Sequence, residues 1–457
     1  MNKNKFYIIS ICVIASLVGL LFGLDVAYVN GSLDFIVRDF NITNPIEQGK
    51  VAGVLLTGAA LGAISSGWIS RKFGRKKLLA LSALIFSLFT FICMFAPTWD
   101  LFLICRFILG LAVGMASFVA PLYLAEIAPV KFRGALIALY QLMITIGIFA
   151  MFLSNAILQG THSWRLMLIT ILIPSILIFL GILKLPESPR YLVLTGKNKK
   201  AEEVLNRTRD NSEEIKTELN SIIASIKNSS SGLKFLLKPF FVKVVLLGIF
   251  LQVLQQFSGI NAIMYYSSEI FLKAGFVNPI ISTVIVGLTN MLVTLIAIKY
   301  VDKVGRKSIL YVGLTILILS CITVAYIFHL EQAHAVILSS LQKLLLLGSC
   351  LTYIFGFAVS LGPVIWILCS EIFPLEGRDL GMTITTATNW ICNAMVGYFS
   401  LAFFTKLGVS STFIFFGVVC FLGILLVFFF TPETKGVSLE EIEVNLKSGK
   451  KLKQIGG

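Results

Sequence analysis

The feature that most constrains this chain is a series of about twelve apolar runs, each near the length at which a helix crosses a bilayer, about 20 residues. They fall near 7–30, 50–70, 78–96, 101–124, 135–158 and 165–184, and again near 244–272, 280–301, 308–328, 341–369, 380–404 and 411–430. Inside hydrocarbon the backbone finds no water, so each segment must satisfy its own hydrogen bonds, and a helix does this. Composition agrees: 57% of the residues are hydrophobic and 13% charged, where a soluble domain carries about 25% charge. That leaves too few charged side chains to cover a water-facing surface. The 37 phenylalanines suit contact with lipid.

The net charge of +15 would suit nucleic acid, but its placement points elsewhere. Arg71, Lys72, Arg75, Lys76 and Lys77 follow the second run, and Lys131 and Arg133 the fourth. Lys303, Arg306 and Lys307 follow the eighth and Arg378 the tenth, while loops after odd-numbered runs are poorer in Lys and Arg. This is the positive-inside bias, and it predicts cytoplasmic termini at both ends. No nucleic-acid partner is expected. Met1–Lys5 leads straight into the first run without a convincing small-residue cleavage site, so an uncleaved first helix is expected. The long polar stretch 185–243, with Lys199, Lys200, Glu202, Glu203, Glu213 and Glu214, reads as short cytoplasmic helices.

The eight cysteines form no CxxC pair and lie in apolar runs, so they read as packing residues. His162, His329 and His334 sit near expected outer loops and suggest no metal site. No nucleophile–base pair or phosphate-cradling loop marks an enzyme. No cofactor is expected.

An internal repeat organises the runs. RKFGRK at 71–76 returns as DKVGRK at 302–307. Glu126 with Arg133 returns as Glu371 with Arg378 at the same spacing, and Pro186–Glu187–Ser188 is echoed by Pro432–Glu433–Thr434. Three matches in the same order predict two related six-span halves with a substrate site at their interface near mid-membrane. The fold class is therefore an all-α integral membrane protein, with twelve transmembrane helices in two pseudo-symmetric halves and a cytoplasmic helical linker. The boundaries are 1–184 and 244–430 for the halves, 185–243 for the linker and 431–457 for a cytoplasmic tail.

These motifs, with the PLYLAEIAP run at 121–129, PESPR at 186–190, Gln255–Gln256 through Asn261 and GPVIW at 362–366, resemble the sugar porter family of the major facilitator superfamily over nearly the whole chain. The run from Tyr140 to Gly147 and Thr388–Trp390 look like bacterial galactose–proton and arabinose–proton symporters. One departure stands out: Arg71 occupies a place where family members often carry an acid, and the second copy keeps Asp302.

Asp25 lies within the first run. A charge at the bilayer centre costs about 2.5–3.5 kcal/mol on insertion scales, so such a residue normally faces a cavity or a partner. A static ion pair between helices is the plain alternative. The resemblance implies Arg106 as partner and a proton as the coupling ion. Burial disfavours the ionised carboxyl and a nearby guanidinium favours it, so changed access changes its proton affinity. Passive relatives commonly lack an acid at this place.

Sugar hydroxyls both donate and accept, as amides do, and aromatic faces pack a sugar's C–H surfaces. By resemblance, Gln141, Gln255, Gln256, Asn261, Trp366 and Asn389 match sugar-contacting positions. Phe22, Tyr265, Phe357 and Trp390 add aromatic surface in the same or neighbouring runs. For each amide the alternative is an interhelical hydrogen bond, and for Phe357 and Trp390 it is core packing. Arg75, Glu126, Arg133, Asp302, Arg306, Glu371 and Arg378 form a near-symmetric inner-face set, read as a latch between conformations or as plain positive-inside charge with local pairs. Gly58, Gly62, Gly110 and Gly114 have the spacing of close helix packing. Gly259 and Gly362–Pro363 are hinge candidates.

The expected function is proton-coupled import of a monosaccharide of the galactose, glucose or arabinose class. The expected location is a bacterial cytoplasmic membrane, where the chain works in lipid as a monomer. A passive facilitator and a non-transporting sugar sensor remain the alternatives.

Overall fold

Apolar runs bounded by Gly, Pro and Ser become helices throughout, and no strand forms among the described residues. The computed structural model describes residues 3–129, 133–209, 211–227, 238–300, 304–334, 338–374, 377–437 and 439–456. Six long helices come first: α1 (Lys3–Asp39), α2 (Pro45–Phe73), α3 (Arg75–Met94), α4 (Trp99–Ile127), α5 (Arg133–Leu158) and α6 (Trp164–Leu183). Three short ones follow: α7 (Pro189–Leu194), α8 (Asn198–Thr208) and α9 (Ser212–Lys227). Then come α10 (Pro239–Phe257), α11 (Ile260–Lys273), α12 (Pro279–Tyr300), α13 (Arg306–His334), α14 (Ser340–Val359), α15 (Leu361–Ile372), α16 (Arg378–Lys406), α17 (Gly408–Phe429) and α18 (Leu439–Lys447).

Local chemistry sets several starts. Thr98 and Ser163 lie in extended backbone and accept hydrogen bonds from the Leu101 and Leu166 amides, both at 3.3 Å. Each satisfies one of the four amides that a helix start leaves without a partner. Ser339 and Gln342 form a reciprocal capping box at α14.

Among the described residues, 11 helical stretches are long and apolar enough to cross a membrane. The expected run at 380–404 is not one of them, although it lies within α16, which has 29 residues. At about 1.5 Å per residue this helix is long enough to span. Thr383, Thr385, Thr386, Thr388, Asn389 and Asn393 dilute its apolarity. Large apolar side chains elsewhere stand exposed, including Phe91, Ile157, Ile173, Leu177, Phe421 and Phe428. Exposed apolar surface in that amount, on helices long enough to span, suits lipid.

Two expected runs are broken. The first ends as α10 at Phe257 and restarts as α11 after Gly259, whose φ is 102°. Only glycine takes this left-handed backbone freely, and a Cβ there would overlap the ring of Phe416. The second is interrupted at Ser360 (φ −119°, ψ −89°), between α14 and α15. The break falls three residues before Pro363, not at the proline. Pro363 sits in the first turn of α15, where its missing N–H would have had no helical partner.

The chain divides into two compact units. One holds residues 1–25, 57–151 and 163–230, and the other 26–56, 152–162 and 231–457. Within the first, α2 and α4 cross closely: a Cβ on Gly58, Gly62 or Gly114 would overlap backbone atoms of Phe107, Leu111 or Ala59. The short helices α7, α8 and α9 in this unit close their own small core around Leu192, Val193 and Ala201, with Val204, Leu219, Ile222 and Ile223 packed against it. Within the second unit, Asn30 of α1 donates to the Met264 carbonyl at 3.0 Å and to Ser267 Oγ at 2.8 Å on α11.

Candidate functional site

In the first unit, α1 brings Asp25 to Arg106 of α4. Arg106 Nη1 donates to Asp25 Oδ1 at 2.6 Å, and both side chains are 1% exposed. Asp25 Oδ2 is also buried and has no hydrogen-bond partner among the described residues. An ionised carboxylate offers several acceptor positions. One oxygen here meets the guanidinium, and the other is left without a hydrogen bond. A buried pair of this kind gives little net stability, because desolvating two charges offsets most of their attraction.

In the second unit, an amide network builds from three helices, α10, α11 and α16. Asn389 Nδ2 on α16 donates to Gln252 Oε1 at 2.6 Å and to Gln255 Oε1 at 2.7 Å on α10. Asn261 Nδ2 on α11 donates to Gln256 Oε1 at 2.6 Å. Gln256 Nε2 reaches Gln255 Oε1 at 3.5 Å. Tyr265 Oη donates to Asn393 Oδ1 at 3.0 Å.

The two helix breaks brace this network. Unwound backbone leaves carbonyls that hydrocarbon cannot satisfy. Tyr353 Oη on α14 donates to the Ser258 carbonyl at 2.5 Å, at the first break. Gln255 Nε2 donates to the Leu361 carbonyl at 2.7 Å, at the second. Each broken helix therefore supplies the donor that completes the other. Broken helices whose polar groups converge are how transporters place a polar site inside a membrane.

The structure thus joins Gln255, Gln256, Asn261 and Asn389 directly, and Tyr265 joins Asn393 on the same helix as Asn389. Gln252 and Asn393 were missed in the sequence. Both are legible in hindsight: Gln252 is three residues before Gln255, and Asn393 four after Asn389, so each shares a helix face with its neighbour. Trp366 on α15 and Phe357 on α14 are half-buried, and Trp390 on α16 is buried. In the first unit, Phe22 on α1 is half-buried and Gln141 on α5 is exposed.

The repeated charges pair within each copy of the repeat. Arg75 grips Glu126 with two bonds, Nε to Oε2 and Nη2 to Oε1, both at 3.0 Å. Its repeat counterpart, Arg306, donates from Nη2 to Glu371 Oε1 at 3.0 Å. The echoed Pro–Glu motifs complete the symmetry. Glu187 Oε1 accepts from the Arg75 and Lys76 amides, both at 3.0 Å, at the start of α3. Glu433 accepts from the Arg306 amide at 2.9 Å and the Lys307 amide at 3.0 Å, at the start of α13. A carboxylate on a helix N-terminus meets free amides and the positive end of the helix dipole. The next residue is also matched: Ser188 donates to Glu126, and Thr434 Oγ1 to Glu371 Oε2 at 2.5 Å. Arg378 Nη2 lies 3.5 Å from the Phe373 carbonyl. Asp302 and the side chain of Arg133 fall outside the described residues. Among the described residues no His, Cys, Asp and Glu cluster fits a metal.

Repeated halves of apolar helices, a buried ion pair and a polar network beside broken helices define a multi-pass membrane transporter. A family model described as Sugar (and other) transporter matches residues 11–446. The chain is 45% identical over 459 residues to the galactose-proton symporter of Escherichia coli (strain K12), covering 100% of this chain and 98% of that one. It is 41% identical to the arabinose-proton symporter of the same strain, over 98% of this chain and 95% of that one. Among solved structures, the inward open conformation of the xylose transporter XylE from E. coli matches with a TM-score of 0.82 and 29% identity, over 96% of this chain and 99% of that one. The chain belongs to the sugar transporter family.

Proposed function

We propose that this protein imports a monosaccharide together with a proton, by exposing its sugar site alternately to the two sides of the membrane. One observation carries the coupling: Asp25 is fully buried, with one carboxylate oxygen on Arg106 and the other unbonded. In that setting protonation of Oδ2 discharges the acid and loosens its hold on Arg106, so proton loading and helix contact are linked. The names of the E. coli relatives, a galactose-proton and an arabinose-proton symporter, support the same reading.

Gln255, Gln256, Asn261 and Asn389 supply sugar hydrogen bonds, and Trp366, Tyr265, Phe357, Trp390 and Phe22 the aromatic surface. Gln141 joins them, because an exposed amide on an apolar span suits a hydrated route better than hydrocarbon. Arg75, Glu126, Arg133, Asp302, Arg306, Glu371 and Arg378 form the inner-face charge set, whose pairing changes between states. Arg75–Glu126 and Arg306–Glu371 are largely buried, and a buried pair that loses one partner leaves an uncompensated charge, so their rupture and re-formation go with a change of state. The proposed organisation is two transport halves, 1–184 and 244–430, a cytoplasmic linker at 185–243 and a tail at 431–457. The chain works as a monomer in a bacterial cytoplasmic membrane with both termini inside.

The test is uptake of labelled galactose, glucose, arabinose and xylose in a transport-deficient strain, with and without a protonophore. The proposal expects saturable uptake of at least one sugar above its external concentration, abolished by the protonophore. Equilibration that ignores the protonophore identifies a passive facilitator. Binding without uptake identifies a sensor.

A further inference from the structure

The last carbonyls of a helix have no partner within it. At the end of α4 they are met from outside the membrane helices. Arg209, in the connection between α8 and α9, is 3% exposed although it belongs to the polar linker. Its Nη1 donates to the Ile127 carbonyl at 3.0 Å, and its Nη2 lies 3.4 Å from the Ala128 carbonyl. Nη1 also approaches the carbonyl of Thr208 at 3.3 Å. The same guanidinium grips Glu218 of α9 with two bonds, from Nε and Nη2, both at 2.7 Å.

This geometry uses the planar fork of arginine, which aims several N–H groups in fixed directions. The cation also lies at the negative end of the α4 dipole. Two separate elements are thereby tied through one side chain. On the membrane side lies α4, which carries Arg106 and ends beside Glu126. On the linker side lies α9, part of the small core around Leu192 and Ala201. Glu126 is one residue before Ile127, the residue whose carbonyl Arg209 holds.

We propose that Arg209 is a positioning residue for transport: it anchors the inner end of α4 to the cytoplasmic linker and so holds Glu126 against Arg75. This rests on the transport reading above. The linker then takes part in setting turnover, and the sugar's own contacts are untouched, because the amides that bind it lie on α5, α10, α11 and α16 and not on α4. Without the guanidinium, Glu218 and the carbonyls of Ile127 and Ala128 lose a buried partner, and the end of α4 frays.

The test compares the unaltered protein with Arg209→Ala, Arg209→Lys and Glu218→Gln. Amide hydrogen exchange over residues 124–129, read in purified protein without sugar, reports the anchor directly. Uptake per folded molecule and equilibrium sugar binding report its consequence. Arg209→Ala should speed exchange at that helix end by about tenfold, the scale expected when buried carbonyls lose their donor. Turnover should fall severalfold while sugar affinity stays within about twofold. Arg209→Lys should behave like Ala, since one ammonium cannot reach both partners. Glu218→Gln keeps the carbonyl bonds and should show a smaller change, which covers the case in which Arg209→Ala fails to fold.

Unchanged exchange overturns the anchor. Faster exchange with unchanged turnover per folded molecule makes the contact purely structural and overturns the positioning role. Since exchange needs no sugar, it decides the anchor even if the unaltered protein carries none.

Discussion

Single side chains decide what this scaffold can do. Asp25 was visible in the sequence as an acid in an apolar run, and the structure gives it a partner and a spare oxygen. Gln255, Gln256, Asn261 and Asn389 were visible for the same reason: amides are rare where water is absent. Gln252 escaped notice because it lay outside the motif that drew attention to Gln255 and Gln256. Its Oε1 holds Asn389 Nδ2 at 2.6 Å. Gln252→Ala should free Asn389 to rotate and raise the sugar dissociation constant about tenfold, the scale of one hydrogen bond with a buried partner left unmet. Calorimetric titration of purified protein reads this, and an unchanged constant would remove Gln252 from the binding network. Arg209 was harder to read, since nothing in a polar linker distinguishes an arginine bound for burial from one bound for water.

At the level of elements, the apolar runs gave most span boundaries to within about six residues, because length and hydropathy are local properties, but α1 runs on from the expected 30 to Asp39. The breaks were only partly legible. Gly259 was a hinge candidate, and the first break falls there because its φ of 102° is one that glycine takes freely. The second falls at Ser360 and not at Pro363, because a proline tolerated in a first helical turn does not itself bend the chain. A long-range contact braces that break: Gln255 reaches the Leu361 carbonyl, one residue past it, from another helix. The first break depends in the same way on Tyr353. Tyr353→Phe should leave the Ser258 carbonyl unpaired, at about 1–3 kcal/mol. The thermal midpoint in detergent should drop by several degrees. The same change at Tyr326, which is 61% exposed, should leave it unmoved. Equal midpoints for the two variants would show that the Tyr353 bond does not brace the break.

For the whole molecule, the repeat was the most productive signal. It matched Arg75 with Arg306, Glu126 with Glu371 and Glu187 with Glu433 before any coordinates, and the hydrogen bonds reproduce the match residue by residue. The roles within it were less legible. The Pro–Glu acids cap helices α3 and α13, a contact between segments more than a hundred residues apart. The same capping contact in both copies is what two related repeats of a transporter should show.

The central claim is that a buried carboxyl couples proton movement to sugar movement. The direct measurement uses Asp25→Asn, nearly isosteric with the acid but without its charge or its titration, reconstituted in vesicles beside the unaltered protein. Under an imposed pH gradient, acid outside, the unaltered protein should concentrate labelled sugar. The variant should only equilibrate it, while still exchanging labelled for unlabelled sugar across the membrane. Accumulation by Asp25→Asn to the level of the unaltered protein would contradict the account.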